Sequence, residues 1–181
     1  MKAVDLFCGC GGMSLGFQNA GFNIIAAFDN WEPAVRTYQK NFTHPVRQED
    51  LSDEHMISVV SELKPEIIIG GPPCQDFSPA GYRDESLGRA RLSKTYTDIV
   101  STAKPKYFVM ENVPRIRLSK TYQYVRETLK SVGYGLTEKI IDASYCGVPQ
   151  KRKRLFLVGC LGAKDDFLSK ALDENLSDKP M

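Results

Sequence analysis

Short apolar runs alternate along this chain with stretches whose apolar residues recur at three- and four-residue spacing. Lys2–Leu6 reads as a strand, broken by the glycines of residues 9–12 and followed by a short helix over residues 13–20. A second apolar run covers residues 22–28. Residues 32–42 have helical spacing, with Pro33 suited to a first turn. Val46–Gln48 reads as a short third strand, and Asp53 is placed to cap a helix running to Leu63. Residues 66–70 hold Ile67-Ile68-Ile69, the composition of a strand buried on both faces. A polar loop rich in Gly and Arg spans residues 71–91. Residues 93–103 predict a helix, residues 107–110 a buried strand, and residues 119–132 a helix stopped by Gly133. Two final strands are expected at residues 136–141 and 155–158, separated by a loop at residues 146–154.

Strand–helix alternation at this spacing predicts an α/β fold with a doubly wound, mostly parallel sheet. Ligands in such sheets bind beyond the carboxyl ends of the strands. Gly9–Gly12, Asp29, Asp50, Pro72–Cys74 and Glu111-Asn112 all follow apolar runs, so they are expected to meet on one rim. One hexapeptide, Arg-Leu-Ser-Lys-Thr-Tyr, occurs at residues 91–96 and again at 117–122. It is too short for a repeat architecture, and each serine is placed to cap a helix.

Composition narrows the class only mildly. The 181 residues suit one domain, with 42% hydrophobic and 25% charged residues. No apolar run approaches the roughly 18 residues that span a bilayer, and the first residues lack a signal-peptide core. A cytoplasmic protein is the expectation. The net charge of +2 does not by itself point to nucleic acid. Five cysteines in such a chain argue against a disulfide framework. Cys8 and Cys10 have no second Cys/His pair at zinc spacing, so no metal is expected.

Candidate chemistry lies at the strand ends. Phe7-Cys8-Gly9-Cys10-Gly11-Gly12 joins a strand to a helix, where glycine lets backbone approach a ligand and the helix start offers free N–H groups. It departs from G-x-G-x-x-G at Ser14, and a tight turn alone would also use these residues. Asp29, 20 residues after Gly9, is placed to accept hydrogen bonds from ribose hydroxyls or to cap the next helix. Trp31 is placed to flank a ring or to pack. Pro72-Pro73 stiffen the approach to Cys74, and a partly exposed loop is where a reactive thiolate belongs, although most cysteines are not catalytic. Glu111 ends an apolar strand, where a carboxylate is costly unless used or solvated. Gln150-Lys151-Arg152-Lys153-Arg154 is donor-rich, and strand alternation points Arg152 and Arg154 the same way. Arg83, Arg89, Arg91 and Lys94 add positive charge within and just after the Cys74 loop, which suits a polyanion.

Taken in order, these segments resemble the C5-cytosine DNA methyltransferase family. Residues 5–12 (D-L-F-C-G-C-G-G) are similar to its cofactor loop, residues 71–78 (G-P-P-C-Q-D-F-S) to its nucleophile loop, residues 111–113 (E-N-V) to its glutamate motif and residues 150–154 (Q-K-R-K-R) to its arginine motif. The resemblance covers residues 2–159 and implies an S-adenosylmethionine-dependent, Rossmann-like methyltransferase fold acting on double-stranded DNA. It implies Cys74 as nucleophile, Glu111 as the group acting at the ring nitrogen, and Arg152 and Arg154 as orienting residues. For the cofactor it implies Phe7, Gly9, Gly11, Gly12, Asp29, Asn30, Trp31, Asp50, Leu51, Pro72 and Leu92.

The resemblance stops short at the end. Family members continue into a target-recognition domain and a last helix with a Gly-Asn motif. Here 22 residues follow Gly159, and no Gly-Asn dipeptide occurs. Residues 1–160 are therefore expected to form the catalytic domain. Residues 161–181 are expected to be a polar tail with one amphipathic helix, from Leu168, Leu172 and Leu176 at i, i+4, i+8. The expectation is a split or truncated enzyme whose second subunit would supply the missing parts. An inactive regulatory module and an RNA cytosine methyltransferase are the rivals. A dehydrogenase would explain the glycine loop but not Cys74, Glu111 and Arg154.

Overall fold

A computed structural model of the chain describes residues 1–73 and 90–181. Its elements run β1 (Lys2–Leu6), α1 (Gly12–Asn19), β2 (Asn23–Asp29), α2 (Glu32–Asn41), β3 (Val46–Gln48), α3 (His55–Glu62), β4 (Ile67–Gly70), α4 (Ala90–Ala103), β5 (Tyr107–Asn112), α5 (Lys120–Ser131), β6 (Tyr134–Asp142), β7 (Lys153–Leu161) and α6 (Ser169–Glu174). Short 3-10 turns occupy Pro114–Leu118 and Ala143–Cys146. The strands form one seven-stranded sheet in the order β3-β2-β1-β4-β5-β7-β6. Pairing is parallel from β3 to β5, while β7 runs antiparallel to both neighbours. The doubly wound, mostly parallel sheet expected from the alternation is present.

Strand alternation sorts the core into two layers. Val4, Leu6, Ile68, Phe108, Met110, Leu155 and Leu157 face one way, into the layer that holds Met56 and Val60 of α3, Tyr96 and Ile99 of α4, and Val125 and Leu129 of α5. Ala3, Ile67, Ile69, Val109, Phe156 and Val158 face the other way, where Met13 and Phe17 of α1 and Leu168 of the tail pack. The same period aims Asp5, Glu111 and Arg154 at this second, more thinly covered face. Among the described residues, no helix is long and apolar enough to cross a membrane.

Several local expectations shift. The helix after β3 begins at His55, and Asp53 contributes its backbone carbonyl to Met56 N–H, with no side-chain cap at the helix start. Of the repeated hexapeptides, only the second caps a helix: Ser119 Oγ accepts from Tyr122 N–H at 3.0 Å. Ser93 lies inside α4, buried, its carbonyl accepting the Thr97 hydroxyl. β6 and β7 are nine residues each, longer than their apolar runs, because backbone pairing continues from Tyr134↔Leu161 to Asp142↔Lys153. The tail helix is six residues, shorter than the leucine spacing predicts. The tail is tied to β6 by Leu168 N–H to Thr137 Oγ1, by Leu136 N–H to Asp165, and by the ion pair Lys139–Asp173.

Gly70 sets how closely β4 approaches β1. A Cβ there would meet the Leu6 carbonyl oxygen and the ring of Tyr96. Backbone cannot step aside as a side chain can, so Gly70→Ala is expected to cost about 1–3 kcal/mol. That is a fall of several degrees in Tm, since a kcal/mol is worth about 2–4 °C at this size. An unchanged Tm in calorimetry would refute the close-approach argument.

Candidate functional site

Two adjoining clefts open at the carboxyl ends of the parallel strands, and Phe7 and Gly71 line both. The smaller, about 350 Å³, is walled by Asp29, Asn30, Trp31, Asp50, Leu51, Leu92 and Pro73. β2 delivers Asp29 at its last residue, and the turn after β3 delivers Asp50. Asp29 is held rigidly: Oδ2 accepts from Gly9 N–H at 2.8 Å and Oδ1 from Trp31 N–H at 2.9 Å. Each oxygen keeps a lone pair for a ligand hydroxyl. Asp50 accepts Ser52 N–H at 2.9 Å, a bond that holds its carboxyl below the usual range and so keeps it ionised. Trp31 is 66% exposed, which rules out the packing alternative and leaves its ring free at the cleft edge.

The glycine loop works mainly as a frame. Phe7 has a φ of 57°, unusual for a non-glycine residue, and this turn places it between the clefts. Gly12 lines the larger cleft. Gly9 and Gly11 line neither of the two. Gly9 gives its N–H to Asp29, and Gly11 has a φ of 95° with the rings of Phe42 and Tyr38 behind it. Pro72 is buried beneath the floor, and its carbonyl accepts the Asn112 side-chain amide at 3.2 Å. The Asn of Glu-Asn-Val thereby ties β5 to the segment leading to residue 74. Cys74 itself, with Arg83 and Arg89, lies outside the described residues.

The larger cleft, about 640 Å³, brings Glu111, Arg152 and Arg154 together. β5 and β7 are neighbours with Glu111 opposite Phe156, so Arg154 lies on the diagonal and its Nε reaches Glu111 Oε1 at 2.9 Å. Burial pushes the Glu111 carboxyl up, and Arg154 and then Arg152 pull against it. The group is thereby set between a proton donor and an ion-pair partner. Gly71 leaves space beside it: a Cβ there would stand 3.2 Å from Glu111 Oε2. Arg152 is exposed and Arg154 half-buried, both on the cleft side as alternation predicts.

One member of this cleft was not singled out in the sequence. Asp5 is 1% exposed and lines the larger cleft from β1. Its signal was available, as a carboxylate inside Ala3-Val4-Asp5-Leu6, but it was masked by the stronger glycine pattern that follows. The far end of the same cleft is apolar, walled by Met13, Phe17, Phe22, Ile141 and Phe156.

The family model for C-5 cytosine-specific DNA methylases matches residues 1–181. The chain belongs to this family. It is 53% identical over 182 residues to the Type II methyltransferase M.HindV of Haemophilus influenzae, covering 100% of this chain and 60% of that protein. It is 50% identical to M.HgiDI of Herpetosiphon aurantiacus, covering 98% of this chain and 58% of that one. The chain thus spans about three fifths of the length of these relatives. The crystal structure of Schizosaccharomyces pombe Dnmt2 methyltransferase superposes with a TM-score of 0.82 at 21% identity over 99% of this chain and 56% of that one, a likeness of fold.

Proposed function

We propose that this chain carries the catalytic half of a DNA cytosine-C5 methyltransferase and uses S-adenosylmethionine. The observation that carries the reading is the convergence of Glu111, Arg152 and Arg154 on one cleft that adjoins a second cleft lined by Asp29, Asp50 and Trp31. The donor set of the smaller cleft fits an adenosine. Asp29 accepts ribose hydroxyls, Asp50 faces the purine amino group, and Phe7, Trp31, Leu51 and Leu92 supply apolar walls. Phe7 and Gly12 carry the group on towards the larger cleft, with Gly9, Gly11 and Pro72 holding the walls in place. The bound cofactor supplies an electrophilic methyl group.

The rest of the chemistry falls to the chain's own residues. A cytosine must leave the stack before its ring carbons are reachable. Cys74, at the end of the segment that Asn112 fixes, attacks C6 as a thiolate and makes C5 nucleophilic. Glu111, whose carboxyl burial pushes up against the pull of Arg154, gives a proton to N3 as charge develops there. Arg154 orients Glu111, and Arg152 and Arg154 hold the base carbonyl. Loss of the C5 proton then releases Cys74.

The apolar end of the larger cleft supports a second part of the reading. A further segment, from a longer chain or a second subunit, would close this face and bring base recognition. Residues 1–160 then form the catalytic domain and 161–181 a tail laid on the sheet. A protein with this work acts where DNA is, in the cytoplasm at the nucleoid. The two relatives' Type II designation favours a role in modification against a partner nuclease.

Covalent trapping tests the chemistry. Duplex DNA with 5-fluorocytosine and S-adenosylmethionine is expected to give a denaturant-resistant adduct that Cys74→Ala abolishes. No adduct with or without a supplied recognition subunit, while cofactor still binds, would sink the proposal. Labelling of tRNA in place of DNA would move the substrate class to RNA.

A further inference from the structure

A buried chain of hydrogen bonds runs from the larger cleft to the surface. Ser14 Oγ donates to Asp5 Oδ2 at 2.6 Å, Tyr38 Oη donates to Ser14 Oγ at 2.6 Å, and His44 Nε2 stands 2.5 Å from Tyr38 Oη. Asp5, Ser14 and Tyr38 are 1%, 0% and 0% exposed, while His44 is half-buried. The four residues come from β1, α1, α2 and the loop after α2. Among the described residues, another polar cluster holds elements together: Glu138 is gripped by Arg117, Arg126 and Tyr122. Nothing comparable obliges a carboxylate to be buried at Asp5.

The order of donors has a consequence. Each hydroxyl donates once, so the chain can point only one way at a time. With Asp5 ionised, protons point towards the cleft and His44 carries its hydrogen on Nε2. With Asp5 protonated, the chain reverses and ends on an Nε2 lone pair, with the hydrogen on Nδ1. Reversal moves one proton between cleft and solvent without moving a heavy atom.

We propose that Asp5, Ser14, Tyr38 and His44 form a proton relay that drains the catalytic cleft, rests on the methyltransferase reading above, and removes the proton that C5 must lose. The C5–H bond breaks, and its electron pair forms the C5–C6 double bond. The C6–S bond breaks, and Cys74 leaves as thiolate. The Asp5 carboxylate takes the proton, the His44 imidazole exchanges its Nε2 hydrogen for one on Nδ1 through water, Ser14 and Tyr38 turn their hydroxyls towards the freed Nε2, and the proton passes in three hops to it. The imidazolium releases its Nδ1 proton to water, and no oxidant or further reactant is needed. Burial pushes the Asp5 carboxyl up to about 7 and pulls the His44 imidazole below its usual 6.5. The ionisable groups facing Asp5 are Cys8 in the turn after its strand, Asp29 on β2 and Tyr96 on α4. None lies in the hydrogen-bond path.

The test has two readouts. The chain has only His44 and His55, so imidazole ¹⁵N shifts of the full-length protein assign readily with His55→Gln. The neutral His44 tautomer is expected to change from Nδ1–H to Nε2–H with the same pH midpoint as the Asp5 carboxyl. The crossover is expected to vanish in Asp5→Asn and in Ser14→Ala. A tautomer indifferent to Asp5 titration, or a crossover that survives Ser14→Ala, overturns the relay whatever the catalytic result. On duplex DNA, Ser14→Ala and Tyr38→Phe are expected to trap 5-fluorocytosine at the wild-type rate, because that adduct forms without proton loss. On ordinary cytosine they are expected to turn over at least tenfold more slowly, with covalent intermediate accumulating. Normal trapping with normal turnover defeats the relay alone. Absence of trapping by the wild-type protein, with or without a supplied recognition subunit, defeats the methyltransferase reading, and proton export from C5 with it.

Discussion

Glu111→Gln is expected to cut methyl transfer by about 10²–10⁴-fold, the usual worth of a positioned proton donor, while leaving S-adenosylmethionine affinity within about twofold. The asymmetry follows from the architecture. Glu111 lines only the larger cleft, and the residues assigned to the nucleoside line the smaller. Glutamine keeps the shape and can still meet Arg154 Nε through its carbonyl, so the fold is undisturbed. What is lost is the transferable proton. The pH profile carries the sign. Burial raises the Glu111 carboxyl above its ordinary value, so the active, protonated form is depleted as pH rises through the raised value. The rate of adduct formation in the wild type is therefore expected to fall on that alkaline limb, and Glu111→Gln is expected to lack it. Arg154→Ala removes the largest opposing influence and leaves the burial, so the limb is expected to move to higher pH even as the rate drops. Stopped-flow trapping across pH 5–9 with isothermal titration of cofactor separates these effects. A Glu111→Gln enzyme with wild-type rate would remove the residue from the chemistry.

The sequence carried the parts of this site that depend on strand ends. Asp29, Asp50, Glu111 and Arg154 each close or adjoin an apolar run, and the sheet gathers such positions on one rim. Their partners were less visible. That Asn112 anchors Pro72, or that Gly9 serves Asp29 more than any ligand, depends on distances between segments tens of residues apart. Asp5 was hidden for a different reason. Its neighbours gave a clean buried strand, and only the positions of Ser14 and Tyr38, on two other helices, show why a carboxylate is tolerated there. The repeated hexapeptide marks the limit of local chemistry. The same six residues cap a helix at Ser119, where a 3-10 turn leaves the backbone extended at φ −93° and ψ 148°, and continue one at Ser93. The overlong β6–β7 ladder makes the same point, since backbone pairing extends where side-chain hydrophobicity has ended.

Asp5→Asn is expected to flatten the dependence of stability on pH between about 4 and 7. In the unfolded chain this carboxyl titrates near 3.8, and in the folded protein near 7. Between those values the native state holds a proton that the unfolded state has released. Stability contributed by the protonated group is therefore full below about 4 and is lost as pH rises to about 7, at about 1.4 kcal/mol per pH unit. The integrated loss is roughly 4 kcal/mol, or on the order of 10 °C in Tm for a chain of this size. The carboxyls held low, Asp50, Asp142 and Asp165, act in the opposite sense but below about pH 4, outside the window. His44, pulled below its usual 6.5 by burial, acts in the opposite sense and is present in both proteins. Glu111 has the same sign as Asp5 and is likewise present in both. Asparagine can still accept the Ser14 hydroxyl through its carbonyl, so the variant is expected to match the wild type near pH 4 and to exceed it at pH 7. Urea midpoints at half-unit steps of pH check this. Parallel curves would mean that Asp5 is ionised throughout, and the burial argument would fail. A difference that opens on the acid side would mean that its hydrogen bonds outweigh its burial, which reverses the sign.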